Sequence, residues 1–489
     1  MLPKGSRMAS TPHMQDPSGE SPTEDVCVVG MAAVFAGAPD VRTYWQNILA
    51  KVDAIADPPE ADAWANAVYD PKSTSNDRIY CKRGGYLGDL ARFNPLRYGV
   101  APLSVDGGEP DHYLALRLAF EALEDAGYHE RPFDRRRAEV IIGRGTYINR
   151  GWATLFQHGL VVDQTLEILR ELHPEDPPER LEEIRRRLKA SLPPFSAETA
   201  AGLVPNILTG RIANRLGFMG PNYLVDAACA SSLIAVDHGM RDLLARRCDL
   251  VLAGGVQASI PAHLLMIFCQ LNALSKSSSI RPFDKDADGT LLGEGGGVVV
   301  LKRTADAERD GDRIYARIRA VGTASDGRGA GVMTPRVEGE ELAIRRAYEQ
   351  SGVAPESVGL IEAHGTGTPV GDLAEVEALK RVFGPRSREP RFCALGSVKS
   401  MISHTIPAAG IAGLIKAVLA VYHKVLPPTL HCDEPNPKFG LEKTPLYINT
   451  ETRPWIHGVP DTPRRAGVNA FGFGGINAHV IVEEYTGRS

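Results

Sequence analysis

The chain lacks the marks of several large protein classes. Its seven cysteines, at positions 27, 81, 229, 248, 269, 393 and 432, form no CxxC pair and no Cys/His group at zinc spacing. Neither a disulfide framework nor a metal site is therefore expected. There is no uninterrupted apolar run of about 18 residues, the length a membrane-spanning helix needs. The N-terminal stretch MLPKGSRMASTPHMQDPSGESPTED has no apolar centre of the kind a signal peptide carries. No membrane association and a cytoplasmic location are the resulting expectations. Charge of neither sign dominates, with 55 Lys plus Arg against 60 Asp plus Glu and a formal net charge of −5. That balance does not fit a protein that coats nucleic acid.

What is present is ordinary globular material: 489 residues, 43% hydrophobic and 24% charged. This length suits two or three domains, or one large two-lobed fold. Glycine is in excess, at 49 residues, and it gathers in short runs where backbone geometry matters. Residues 1–23, rich in Ser, Pro, Gly and Met, read as a disordered leader or tag.

Along the chain, short β-rich apolar runs alternate with helical patterns, which predicts an α/β fold with a largely parallel sheet. Strands are expected at VCVVGMAAVF, AEVIIGRG, NYLVDAA, DLVLAGGV, 313–323, VGLIEAHGTGT and FCALGSV. Helices are expected near 41–52, 204–217, 230–247, 338–351, 372–383 and 407–423. A helical insertion spans 147–198, and its charge run Arg185 to Arg187 reads as a solvated helix face. The rhythm of the first half returns in the second, so an N-terminal lobe at 24–303 and a C-terminal lobe at 304–486 are predicted.

Three turns after buried strands carry reactive residue types, and open α/β sheets bind ligands beyond the carboxyl ends of their strands. Cys229 follows YLVDAA and precedes a long helix, where the helix dipole and free N–H groups favour a thiolate. By itself this string leaves two readings, a nucleophile or a buried small hydrophobe; Cys248 and Cys269 read as core filler. His364 opens HGTGTPVGD, as a site residue or a hydrogen-bonded turn histidine. His404 lies in GSVKSMISHTIPAAG, as a site residue or a helix-capping histidine, and Lys399 just before it is placed to hold a carboxylate. FGFGGINAH is a hairpin-like pattern whose glycines let backbone N–H groups approach a reacting carbonyl. GEGGGVVVLKR lacks the GK[ST] ending of a phosphate loop and reads as the start of a strand.

One cysteine and two histidines in this order resemble the Cys-His-His centre of the β-ketoacyl synthases. DAACASS is similar to that family's nucleophile motif, commonly DTACSSS, and EAHGTGTPVGD to its first histidine motif. GSVKSMISHTIPAAG resembles GSVKxxxGHxxxAAG, and FGFGGINAH resembles FGFGGTNAH. The resemblance runs from about Asp25 to Glu484. It implies the thiolase fold, an αβαβα five-layered sandwich of two similar lobes, in a homodimer. It also implies that Cys229 takes an acyl chain as a thioester from the phosphopantetheine arm of an acyl carrier protein, with no cofactor or metal bound by the chain itself. A malonyl-type extender would then lose carbon dioxide and attack that thioester. His364 and His404 would stabilise the enolate, and the backbone N–H groups of Cys229 and Phe473 would form the oxyanion hole. Lys399 and Glu375 match the family's structural ion pair, Asp372 the aspartate ending its GTGTxxGD motif, and Phe473 its gating phenylalanine.

Phrases such as YCKRGGYL, NILTGRIANRLGF and HKVLPPTL look closest to ketosynthase domains of iterative type I polyketide and polyunsaturated fatty acid synthases. There an acyltransferase domain normally follows on the same polypeptide, so an excised domain is expected. Four positions depart from the family pattern. Ser403 replaces the glycine before the second histidine, Ile406 and Pro407 replace a Glu-containing pair, and Ile476 replaces a threonine. Two other functions share the nucleophile: an acyl-thioester hydrolase, and a non-elongating domain that only holds acyl carriers. A coenzyme A thiolase would need a second cysteine near the C-terminus, where this chain has Phe471 and Phe473.

Overall fold

The computed structural model describes residues 25–59, 63–147, 149–385, 391–456 and 462–487; the predicted leader at 1–23 lies outside them. Each lobe is built on five strands. The first lobe has β1 (Val26–Phe35), β2 (Ala138–Gly143), β3 (Asn222–Val225), β4 (Leu250–Gln257) and β5 (Gly295–Arg303). The second has β6 (Ala316–Ser325), β7 (Leu360–Glu362), β8 (Cys393–Gly396), β10 (Arg465–Gly472) and β11 (Ile476–Glu483), with β9 (Leu446–Ile448) added outside β8. Their order across the sheet is β9-β8-β7-β10-β11-β6-β1-β5-β4-β2-β3.

Numbered within its own lobe, each set follows the spatial order 3-2-4-5-1. Each lobe also pairs its strands with the same polarity: the first with the fifth and the fifth with the fourth antiparallel, the rest parallel. The two first strands meet at Val26–Val28 and join the lobes into one mixed sheet. The boundary expected at 303/304 falls between β5 and β6.

Six helices place the site: α1 (Pro110–Asp125), α2 (Ser231–Leu244), α3 (Ala262–Gln270), α4 (Val337–Ser351), α5 (Pro369–Phe383) and α6 (Ala409–His423). Helix α1 covers the outer face of the first lobe, and α4 with α5 covers that of the second. Helices α2 and α6 pack against each other between the two lobes' strands and complete five layers. All of α6 from Ala409 to Val421 is buried. The segment Ile406–His423 is apolar enough to cross a membrane, yet it runs through this middle layer and carries Lys416, whose ammonium sits 2.6 Å from Glu362 with both side chains buried. A burial this deep is tolerated because the charge is paired.

The predicted elements are present with shifted ends. The strand expected through VGLIEAHGTGT stops at Glu362, and residues 364–368 form a loop. The segment predicted at 407–423 begins with one 3-10 turn at Ile406–Ala408 before α6. The insertion folds as helices Arg150–Phe156, Val162–Leu172 and Pro178–Ser191. Its arginines form surface pairs, Arg185 with Asp163 and Arg186 and Arg187 with Glu183, as a solvated face requires.

Candidate active site

The nucleophile loop is a sharp strand-to-helix turn. After β3 the chain reverses at Ala228, whose φ of +48° is unusual for a residue with a side chain. The Ser231 hydroxyl braces the turn, accepting from the Ala227 N–H at 2.8 Å and donating to the Ala228 carbonyl at 2.6 Å. Cys229 emerges two residues before α2 and is buried, and the backbone N–H groups of Phe473 and of Cys229 itself lie close enough to its sulfur to favour the charged form. These are the two N–H groups that the resemblance names as oxyanion donors.

The second lobe supplies both histidines. His404 Nε2 lies 3.1 Å from Cys229 Sγ, and its Nδ1 accepts a hydrogen bond from the Ile406 N–H at 3.3 Å. A nitrogen that accepts carries the lone pair, so in the neutral ring the proton is on Nε2 and points at the sulfur. The Ile406 N–H reaches Nδ1 from a left-handed backbone, φ +50°, a costly conformation for a β-branched residue. Local strain here fixes the tautomer of a site histidine. The His364 ring packs edge-on against His404, centroids 5.3 Å apart, and its Nδ1 is buried without a partner among the described residues.

Two acids hold the His364 loop. Glu375 accepts from the N–H groups of His364 and Gly365, both at 2.7 Å, and from the Asn469 amide at 2.8 Å. Asp372 accepts from the N–H of Phe283 at 2.8 Å and of Gly367 at 3.1 Å. The implied Lys399–Glu375 ion pair is not made at contact distance. Among the described residues no pair involving Lys399 lies within 4.0 Å, because Glu375 is already taken by N–H donors. Lys399 is buried within the fields of Glu362 and Glu375 and acts at longer range.

Burial dominates the electrostatics. It pushes the Cys229 thiol up to about 12, against the smaller opposing effects of Lys399 and the two N–H groups. The thiolate expected from the helix dipole is therefore not the resting state; desolvation outweighs the dipole. Burial, reinforced by Lys399, holds both histidines well below their ordinary range, so both are neutral at pH 7. Burial also raises Asp372 to about 7.

Sequence spacing offers no metal-ligand set, yet folding brings ligand atoms of Cys229, His364 and His404 within 4.8 Å of one another. The surrounding hydrogen bonds suit donor histidines better than ligand histidines. A metal-bound imidazole donates its other N–H to an acceptor, whereas His404 Nδ1 faces a donor, the Ile406 N–H.

The departure at Ser403 is structural. Its backbone (φ +65°, ψ −177°) lies in a region that essentially only glycine occupies, and its buried hydroxyl has no partner among the described residues. Each feature costs about 1–3 kcal/mol. Ser403→Gly should therefore stabilise the fold by about 1–3 kcal/mol after allowing for the extra freedom of glycine in the unfolded chain. A rise in the urea midpoint at unchanged m-value checks this, and a lower midpoint contradicts it.

A cavity of about 380 Å³ opens from these three side chains to solvent, past Thr366, Thr368 and Phe473. The Phe473 ring lines this cavity and packs on Phe268 of α3, centroids 5.7 Å apart. Asp326, Glu340 and Asn477 also line the cavity. None of the three stood out in the sequence, where an Asp in a glycine-rich loop and a Glu in an amphipathic helix look like surface residues. Pairing of β6 with β11 brings in Asp326 and Asn477, and packing of α4 on that pair brings in Glu340.

The comparisons with known proteins agree with this geometry. Residues 23–307 match the family described as beta-ketoacyl synthase, N-terminal domain, and residues 315–433 match beta-ketoacyl synthase, C-terminal domain. A ketoacyl-synthetase C-terminal extension matches 435–489. The chain belongs to the β-ketoacyl synthase family and has its thiolase fold. Within that family it resembles ketosynthase regions of multidomain synthases. It is 37% identical over 474 residues to a polyunsaturated fatty acid synthase polypeptide of Thraustochytrium sp., covering 96% of this chain and 16% of that protein. It is 35% identical to polyketide synthase PksL of Bacillus subtilis, covering 97% and 10%. Among solved structures, an oxazolomycin ketosynthase domain of Streptomyces albus superposes with a TM-score of 0.81 at 31% identity, covering 95% of this chain and 75% of that one. The ketosynthase from module 6 of the bacillaene synthase of Bacillus subtilis gives 0.79 at 34% identity, with 95% and 73% covered. The chain thus spans about a sixth or less of these two curated relatives.

Proposed function

We propose that this chain is an elongating ketosynthase, a 3-oxoacyl-[acyl-carrier-protein] synthase type of acyltransferase within a polyketide or polyunsaturated-fatty-acid synthase. The observation that carries the proposal is the meeting of Cys229 from one lobe with two neutral histidines from the other, all within 4.8 Å. In the first half-reaction the Cys229 sulfur attacks the carbonyl of an acyl thioester on a carrier protein's phosphopantetheine arm. The bond to the pantetheine sulfur breaks, and the thiol proton leaves with that sulfur. The N–H groups of Cys229 and Phe473 hold the oxyanion.

In the second half-reaction a malonyl-type extender enters through the same cavity. Its carboxylate departs as carbon dioxide, and the electron pair of the broken C–C bond becomes an enolate. Two neutral imidazoles suit this step, each donating a hydrogen bond to the thioester oxygen without a proton transfer. The enolate carbon attacks the Cys229 thioester, the C–S bond breaks, and the released sulfur takes a proton from solvent.

A hydrolase would orient one histidine with Asp or Asn. Here His404 Nδ1 meets a backbone N–H, and His364 Nδ1 has no partner among the described residues. A domain that merely holds carriers has no use for the full Cys-His-His set. A homodimer is supported by β3, which ends the sheet as a free edge with all four residues half-buried, an arrangement that proteins cover or pair. The carrier protein, a following acyltransferase domain and a reducing cytoplasm belong to the same proposal. The cytoplasm is supported by seven free, buried cysteines.

Incubation with acyl-loaded and malonyl-loaded carrier proteins, followed by mass spectrometry of the carrier and of Cys229, tests the reading. A β-ketoacyl product on the carrier is expected. Free acid without a condensed product points to hydrolysis, and an acyl enzyme that never turns over points to passive holding.

A further inference from the structure

The turn that carries Phe473 is held from two sides. On one side it presses on the nucleophile loop: a side chain at Gly472 would place its first carbon 2.6 Å from the Ala227 carbonyl oxygen. On the other side stands Asp326, the residue after β6. Its N–H donates to the Gly475 carbonyl at 2.9 Å. Its carboxylate accepts from the Asn477 amide at 2.7 Å, and its own carbonyl accepts from Arg336 at 2.8 Å. The approach is so close that a side chain at Gly475, which sits at φ +76°, would meet the Asp326 Cβ at 2.8 Å. Asn477 is 2% exposed, so few other groups compete for its amide.

We propose that Asp326 is a positioning residue for acyl transfer: it clamps the Phe471–Asn477 turn against the Ala227–Cys229 loop and so keeps the Phe473 N–H aimed at the reacting centre. The carboxylate ties down the β11 end of the turn and the backbone N–H ties down its tip. Without the carboxylate the tip keeps one tie, and the turn is free to back away from Cys229. An oxyanion donor works only at hydrogen-bond distance from the developing charge. A shift of about 1 Å at a reacting centre costs on the order of 10²-fold.

The proposal rests on the ketosynthase reading, and the experiment separates the two. Single-turnover transfer of an acyl group from an acyl thioester to Cys229 is followed by intact mass in wild type, Asp326→Ala and Asp326→Asn over a range of thioester concentrations, with kcat here the maximal acylation rate constant and KM the half-saturating concentration. Asp326→Ala should lower kcat about 10- to 100-fold and leave KM within about threefold. Asp326→Asn keeps an acceptor oxygen for Asn477 and should recover most of the rate. A raised KM at unchanged kcat would make Asp326 a binding residue and overturn the proposal, as would wild-type loading by Asp326→Ala. If Asp326→Ala does not fold, Asn477→Ala removes the same bond from its other end and is read by the same two criteria. Failure of the wild type itself to load would instead sink the ketosynthase reading.

Discussion

Cys229→Ala should acquire no acyl mass when incubated with an acyl-loaded carrier protein, while the wild type should gain one acyl group per chain. This is the largest effect expected. Removing the nucleophile of a covalent mechanism costs on the order of 10⁶ in rate, as knocking out the serine of a hydrolase does. No neighbour replaces it. Cys81 and Cys269 share its hydrophobic cluster, but burial raises both thiols and neither lies among the residues that line the cavity. The substitution removes one sulfur from a buried site and leaves the loop's brace at Ser231 in place, so an unchanged thermal midpoint should accompany the loss. An acyl label on the alanine variant, wherever it maps, refutes the assignment of Cys229.

The site was legible because its chemistry is concentrated in short strings at strand ends. Small residues around Cys229 and glycines around His364 imply turns, Lys399 before His404 suggests a carboxylate partner, and the repeated strand-helix rhythm puts all three segments at the strand ends of one sheet. The lobe order 3-2-4-5-1, repeated in both halves, lay beyond that rhythm, since the sequence does not say which strands pair. Side-chain electrostatics were misjudged for a related reason. Position at a helix N-terminus favours a thiolate, but the depth of Cys229 depends on residues from both lobes, and burial decides.

Long-range partners were invisible in the same way. Asp326 and Asn477 are 151 residues apart and meet only because β6 pairs with β11. Glu375 was placed opposite Lys399 by resemblance, yet the backbone of its own loop claims it first. Ser403 was readable as a departure but not as strain, because a missing glycine shows its cost only once the chain is seen to need φ +65° there.

His404→Ala should separate the two half-reactions. On the proposed mechanism the Phe473 and Cys229 N–H groups receive the oxyanion in loading, and the imidazole contributes only its Nε2–H near the sulfur. Acylation of Cys229 should therefore slow by less than about tenfold, the scale of one neutral hydrogen bond. On the same proposal, the Nε2–H is in condensation one of two donors to an enolate that exists only along the reaction path, so its loss acts on the transition state. Removing one such donor costs on the order of 10²–10³, and condensation should fall by that factor or more. Because Ile406 holds Nδ1 as an acceptor, asparagine at 404 has no such constraint and should not restore the rate. Stopped reactions analysed for both acyl enzyme and β-ketoacyl carrier protein distinguish the outcomes. Acyl enzyme should accumulate in the variant while product lags by about two to three orders of magnitude. Normal elongation by His404→Ala, or equal loss of both steps, would show that the second histidine does not serve the enolate.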